Sequence, residues 1–205
     1  MDSVGGLLLL FPLFILTVVV HEVSHGLVAE QLGDPTARRA GRLTLNPLRH
    51  VDLFGTLLLP LLLRLLHAPF VFGWAKPVPI DYRNLKHPKR DILWIGLAGP
   101  ASNFLVAGVA AVLLSAAGPS LPVLAETLLR MLALINLGLG TFNLLPVPPL
   151  DGSRVLVGLL PARAAALLLG LERWGILILM LLIYLGVVDR LVWPAVAWLA
   201  KAFGL

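Results

Sequence analysis

The distribution of charge constrains this chain more than any other feature. Ser3 to Val20 holds no charged residue, and Ile92 to Ala125 is uncharged over 34 residues. Only 13% of the 205 residues are charged, about half the roughly 25% of an ordinary soluble domain, and the charges crowd between apolar blocks. Hydrocarbon about 30 Å thick is crossed by about 20 helical residues at 1.5 Å each, so such blocks read as spanning helices. With 59% hydrophobic residues and no cysteine, the composition excludes a disordered chain, a coiled coil and a disulfide scaffold, and it points away from a soluble enzyme. The expected fold is an all-α polytopic membrane protein, a bundle of about four to six transmembrane helices.

The net charge of +5 comes from short loops without interleaved aromatics, which argues for the positive-inside rule and against nucleic acid. Arg38, Arg39, Arg42 and Arg49 crowd one loop; Lys76, Arg83, Lys86, Lys89 and Arg90 crowd the next. Both are expected to be cytoplasmic, which leaves the N-terminus extracytoplasmic in a multi-pass protein of the cell membrane. Met1-Asp2-Ser3 lacks a positive n-region, so the first apolar run reads as a retained helix. The stretch between the basic loops is broken by Pro60, Arg64 and Pro69 and is short for a span. It is expected to be re-entrant or interfacial rather than spanning, lining a cavity, with a partly β-like segment near 53–80; two short helices are the alternative.

The first helix should stop at Gly33-Asp34-Pro35. Further helices are expected over Ile92 to Ala117 and from near Val123 to Leu145, ending at Pro146-Val147-Pro148-Pro149. Beyond Leu150 the pattern allows one long kinked helix or two short elements, Trp174 to Val188 and Leu191 to Ala200.

Within the first apolar helix stands His21-Glu22-Val23-Ser24-His25, an H-E-x-x-H pattern. Residues four apart share a helix face, so His21 and His25 can grip one metal ion while Glu22 takes the proton of an attacking water. Three ionisable groups in five residues of a membrane helix each cost several kcal/mol unless paired or ligated, which favours a metal over a structural role. His21 lies 11 residues before Leu32, about 16 Å from the cytoplasmic end. Two histidines leave zinc short of a third protein ligand, and without cysteine it must come from His, Asp or Glu. Asp151 follows a proline-unwound stretch that can turn a carboxylate inward; the same residue could simply cap the helix that follows.

Three motifs in order resemble the site-2 protease family of zinc intramembrane proteases: His21 to His25, Gly99-Pro100-Ala101-Ser102-Asn103, and Asn143-x-x-Pro146-x-Pro148-x-Leu150-Asp151-Gly152. Asn46 to Asp52 and Gly73 to Pro79 resemble its compact members, which lack PDZ and CBS domains. The resemblance implies one zinc ion held by His21, His25 and Asp151, with Glu22 as general base. It implies that Asn143 helps to bind the substrate or the tetrahedral oxyanion, although an Asn there could also bond carbonyls freed by Pro146. Asn103 resembles a residue near the site, or serves as glue between helices. Gly73, Trp74, Ala75, Lys76 and Pro77 are expected to form an edge to which an unwound substrate adds as a strand. Residues 1–205 form a single domain on this reading, with a catalytic core of about 4–160 and C-terminal helices over 161–205.

The implied activity is zinc-dependent cleavage of transmembrane segments in regulated intramembrane proteolysis, with the lipid bilayer as solvent. The alternatives are a catalytically silent binding or quality-control homologue that keeps zinc, and a metal transporter. Intact Glu22 argues against the first, and the lack of an internal repeat against the second. Among the remaining polar residues, His50 and Asp52 could form a second metal or substrate contact, but read better as a solvated turn or as a hydrogen bond holding the re-entrant stretch. His67 reads as interfacial, and Glu30 as a partner of Arg38 or Arg39. Gly26 reads as a point of close helix packing, or as backbone room at the metal.

Overall fold

A computed structural model describes residues 3–66 and 73–205; His67 and Pro69 lie outside them. Nine α-helices occur among the described residues: α1 Ser3–Gln31, α2 Thr36–Arg39, α3 Leu59–Leu65, α4 Pro88–Ala117, α5 Val123–Asn143, α6 Asp151–Leu159, α7 Ala162–Leu171, α8 Gly175–Tyr184 and α9 Val187–Ala202. Among the described residues, four stretches are long and apolar enough to cross a membrane: Leu10–Gln31, Pro88–Ala117, Val123–Asn143 and Ala162–Tyr184. The chain is an all-α polytopic membrane protein.

The expected stop after α1 is present. Gly33 takes φ 115°, and the Asp34 N–H reaches back to the Ala29 carbonyl at 2.9 Å, closing the helix end. Asp34 is then wholly buried. It accepts from the Thr36 and Asp81 N–H groups and from the Asn84 amide, and so staples the first basic loop to the second. Glu30 pairs with Arg38, as expected.

α4 begins at Pro88, four residues before the expected Ile92, because proline suits a first turn and the Asp91 carboxylate accepts from the His87 N–H at 2.8 Å. It packs against α1, α5 and α6. Its interface with α5 and α9 is built of small and branched residues: Ala107, Ala110, Ala133, Leu137, Val192 and Val196. Without a hydrophobic drive between helices in lipid, small residues that let backbones approach supply the packing. The opposite face of α4 leaves Leu105, Val109, Val112 and Leu113 exposed, as lipid contact requires.

Beyond Leu150 the chain resolves into four helices, more than either arrangement read from the sequence. α7 and α8 are joined by a 3₁₀ turn at Glu172–Trp174, so the fourth apolar stretch starts at Ala162 rather than at Trp174.

A π-helical turn, Leu53–Leu58, leads into α3. These 13 residues rise only about 20 Å, too short to span. The Trp74 N–H donates to the Gly55 carbonyl at 3.1 Å and the Thr56 hydroxyl to the Trp74 carbonyl at 2.8 Å. The stretch therefore returns to where it began. Residues 73–81 form no strand, but alternate N–H groups of Trp74, Lys76 and Val78 point into the protein, as in an extended chain.

Candidate metal centre

One turn of α1 separates His21 from His25, and their Nε2 atoms lie 3.0 Å apart. The Oδ2 atom of Asp151 lies 3.0 Å from the first and 3.2 Å from the second. All three side chains are buried. Asp151 arrives from far along the chain because α5 ends at Asn143 and the proline-rich turn reverses direction. Gly152 makes the reversal possible: a Cβ there would stand 2.2 Å from the Leu144 carbonyl oxygen. The cap position of α6 is Leu150, and the Asp151 carboxylate makes no cap hydrogen bond.

This donor set fits zinc. Ligands held about 2.0–2.1 Å from a tetrahedral centre stand roughly 3.3 Å from one another, close to the separations observed. Asp151 Oδ2 is buried without a hydrogen-bond donor, so its charge calls for a cation. Both Nδ1 atoms face acceptors: His25 donates to the Ile95 carbonyl and His21 to the Asn103 side-chain oxygen, each at 2.6 Å. With the protons on Nδ1, both Nε2 lone pairs face the cluster. Gly99 completes the cradle, since a Cβ on it would fall 2.4 Å from His25 Nε2 and 2.5 Å from His21 Nε2.

Glu22 is half-buried beside the cluster, and its Oε2 accepts from the Val78 N–H at 2.8 Å. Asn103 is wholly buried behind His21, with its amide nitrogen 3.0 Å from the Asn136 oxygen. That places it away from any surface open to a substrate. Asn136, also wholly buried, donates to Thr17 Oγ1 at 2.9 Å and to the Leu132 carbonyl at 2.8 Å. The signal for Asn136 in the sequence is an amide in the middle of the uncharged run 131–145, which the motifs do not include. Asn143 is half-buried at the end of α5 and donates to the Leu139 carbonyl of its own helix at 3.0 Å.

Gly73, Trp74, Ala75, Lys76 and Pro77 lie along the re-entrant return. Trp74 packs on Gly55, the Lys76 N–H donates to the His50 carbonyl at 2.8 Å, and Arg42 donates to the Lys76 carbonyl at 2.6 Å. His50 itself is buried, with Nε2 2.9 Å from the Thr44 carbonyl, and Asp52 accepts from the Gly55 N–H at 2.6 Å. His50 thus ties the returning chain to the start of the stretch through its carbonyl, and Asp52 caps the Leu53–Leu58 turn through its carboxylate. Gly26 is a point of close packing, against Leu43, Val78 and Ala37.

Residues 115–185 match the model of peptidase family M50. A Bacillus subtilis (strain 168) protein assigned as zinc metalloprotease YwhC is 36% identical over 196 residues, covering 90% of this chain and 86% of that protein. Rip2 of Mycolicibacterium smegmatis, likewise assigned as a zinc metalloprotease, is 27% identical over 198 residues, covering 97% and 75%. Zinc metalloprotease MJ0392 of Methanocaldococcus jannaschii is 32% identical over 154 residues, which is 75% of this chain and 35% of that protein. No solved structure matches the chain. Fold, donor set and relatives together define a multi-pass membrane zinc metalloprotease. The chain belongs to peptidase family M50, the site-2 protease family that its motifs resemble.

Proposed function

We propose that this chain cleaves transmembrane segments of membrane proteins in regulated intramembrane proteolysis, with His21, His25 and Asp151 as the zinc ligands and Glu22 as the general base. The observation that carries the proposal is the convergence of two imidazoles and an otherwise unpartnered carboxylate within 3.2 Å, beside Glu22, on a helix able to cross the membrane. Zinc supplies Lewis acidity, polarising the scissile carbonyl and lowering the pKa of water toward about 7. Glu22 takes the proton of the attacking water as its oxygen bonds to the carbonyl carbon. It delivers that proton to the amine as the C–N bond breaks.

The substrate must arrive unwound, because a peptide bond in an intact helix is shielded from attack. The return segment is the surface we assign to it. Its inward N–H groups are engaged, so addition falls to the outward edge. There Ala75 offers N–H and C=O, whereas Pro77 and Pro79 have no N–H. Asn143 reaches an oxyanion on this reading only after leaving the Leu139 carbonyl. The N-terminus is extracytoplasmic, and His21 stands ten residues, about 15 Å, from the cytoplasmic end of α1. Because the chain has no cysteine, single reporter cysteines at Thr44 and Ser120 test this orientation by labelling from either side.

Purified protein in detergent, mixed with single-span peptides, tests the activity. Cleavage is expected to stop with chelator, return with zinc, and be absent in Glu22→Gln, which keeps its zinc. Cleavage by Glu22→Gln, or loss of zinc from it, would overturn the division of roles.

A further inference from the structure

The two histidines receive their orientation in different ways. His25 donates directly to a backbone carbonyl, that of Ile95, which can only accept. His21 donates to an amide, that of Asn103. An amide has two ends, and the reversed end would present N–H₂ to His21. Nδ1 would then have to accept, the ring proton would move to Nε2, and the lone pair facing Asp151 and His25 would be lost.

Something must therefore fix which way Asn103 points, and the structure supplies it in two steps. The Leu132 carbonyl lies 2.8 Å from one end of the Asn136 amide; since a carbonyl only accepts, that end is the nitrogen. The second hydrogen on the same nitrogen goes to Thr17 Oγ1 at 2.9 Å. The Asn136 oxygen is thereby turned to Asn103 at 3.0 Å, and it accepts only if Asn103 presents its nitrogen. The Asn103 oxygen is then left for His21 Nδ1. Thr17, Asn103 and Asn136 are each no more than 1% exposed, so water cannot replace a member of the chain.

We propose that Asn136 is a positioning residue that locks His21 in the metal-binding tautomer, by passing the polarity of the Leu132 carbonyl through Asn103. The relay joins α5 to α4 and α4 to α1. A reversed Asn103 would set two oxygens against each other at Asn136, so the wrong tautomer is disfavoured two residues away from the imidazole. The inference rests on the reading of His21 as a zinc ligand.

Zinc affinity, measured by chelator competition in detergent, tests it without recourse to peptidase activity. Asn136→Leu is expected to weaken zinc binding by about 10-fold to 100-fold, the usual effect of losing a residue that orients a ligand. Asn103→Asp supplies the discriminating background. A carboxylate accepts at both ends and has no polarity to set, so in Asn103→Asp protein the further change Asn136→Leu should not weaken zinc binding. A residue that served only to pack α5 would cost the same in both backgrounds, and that outcome would overturn the relay. So would unchanged affinity in a folded Asn136→Leu protein with a wild-type melting profile. Wild-type protein that holds no zinc would instead overturn the metal-site reading, and the relay with it.

Discussion

The Glu22 carboxylate accepts a hydrogen bond from the Val78 backbone N–H at 2.8 Å, across 56 residues of sequence. The group proposed to move the proton is thus held by the segment proposed to receive the substrate. Val78 also packs its side chain against α1 at Gly26, so the two segments meet through backbone and side chain together.

A substitution that removes this N–H and little else is available. Val78 lies between Pro77 and Pro79, and a proline following it already restricts it to extended backbone. Val78→Pro is expected to lower kcat by about tenfold or more, since a hydrogen bond to a charged group is worth about 1.5–3 kcal/mol. Val78→Ala keeps the N–H and should keep most of kcat. Equal losses in the two variants would show that the side chain, not the N–H, matters.

Gly99→Ala should abolish zinc binding in a folded protein, because the added carbon falls 2.4 Å from His25 Nε2. The matched control is Gly138→Ala, within α5, where a Cβ meets nothing within 4 Å. That change should preserve zinc and raise stability by up to about 1 kcal/mol through helix propensity. Metal analysis of the two purified proteins decides the point; a full complement of zinc in Gly99→Ala would contradict the geometry.

Gly152→Ala should act on the centre from outside it. The new carbon meets the Leu144 and Leu145 carbonyl oxygens at 2.2 and 2.4 Å, and backbone cannot yield as a flexible side chain would. Displacing the start of α6 carries Asp151 away from the histidines. Zinc affinity is expected to fall at least tenfold, with helix content by circular dichroism close to wild type. Unaltered affinity would mean that the turn relaxes without moving Asp151.

Asp34 gives the loop staple a pH dependence. Burial pushes its carboxyl up, but hydrogen bonds from Thr36, Asn84 and the backbone of Asp81 outweigh this and hold it below the usual carboxylate value. With the folded value below the unfolded one, near 3.9, the stabilisation is complete above about pH 4 and is lost as pH falls through the folded value. Asp34→Ala should therefore melt below wild type at pH 7, by about 1.5–3 kcal/mol, and the gap should close on acidification below pH 4. A gap unchanged down to pH 2 would assign the loss to packing alone.

What the sequence made legible follows from how local each signal is. Uncharged blocks located the spanning helices, since one residue in hydrocarbon carries its cost wherever it sits. H-E-x-x-H named two donors because a single helical turn brings them together. Asp151 was readable as a candidate from the prolines before it, yet its cap alternative stood until the fold showed the carboxylate 3.0 Å from His21. The start of α4 was hidden by Lys89, Arg90 and Asp91, which stand in the first turn of the helix ahead of its uncharged run. Asn143 drew notice through its motif, whereas Asn136, which has no motif, is the amide bonded to Asn103 behind His21. Its partners come from other helices, and no local pattern encodes them. The Glu22–Val78 bond was invisible for the same reason.

The centre joins residue 21 to residue 151, so about three-quarters of the chain must be synthesised before its three donors exist together. A nascent chain that has inserted only α1 carries two histidines and no anionic partner for them. On the proposed ligand set, tight zinc retention arrives only once α4 and α5 are in place and α6 has turned back. Metal content would then report that α1 has met the start of α6, while the apolar stretch Ala162–Tyr184 and α9 still follow.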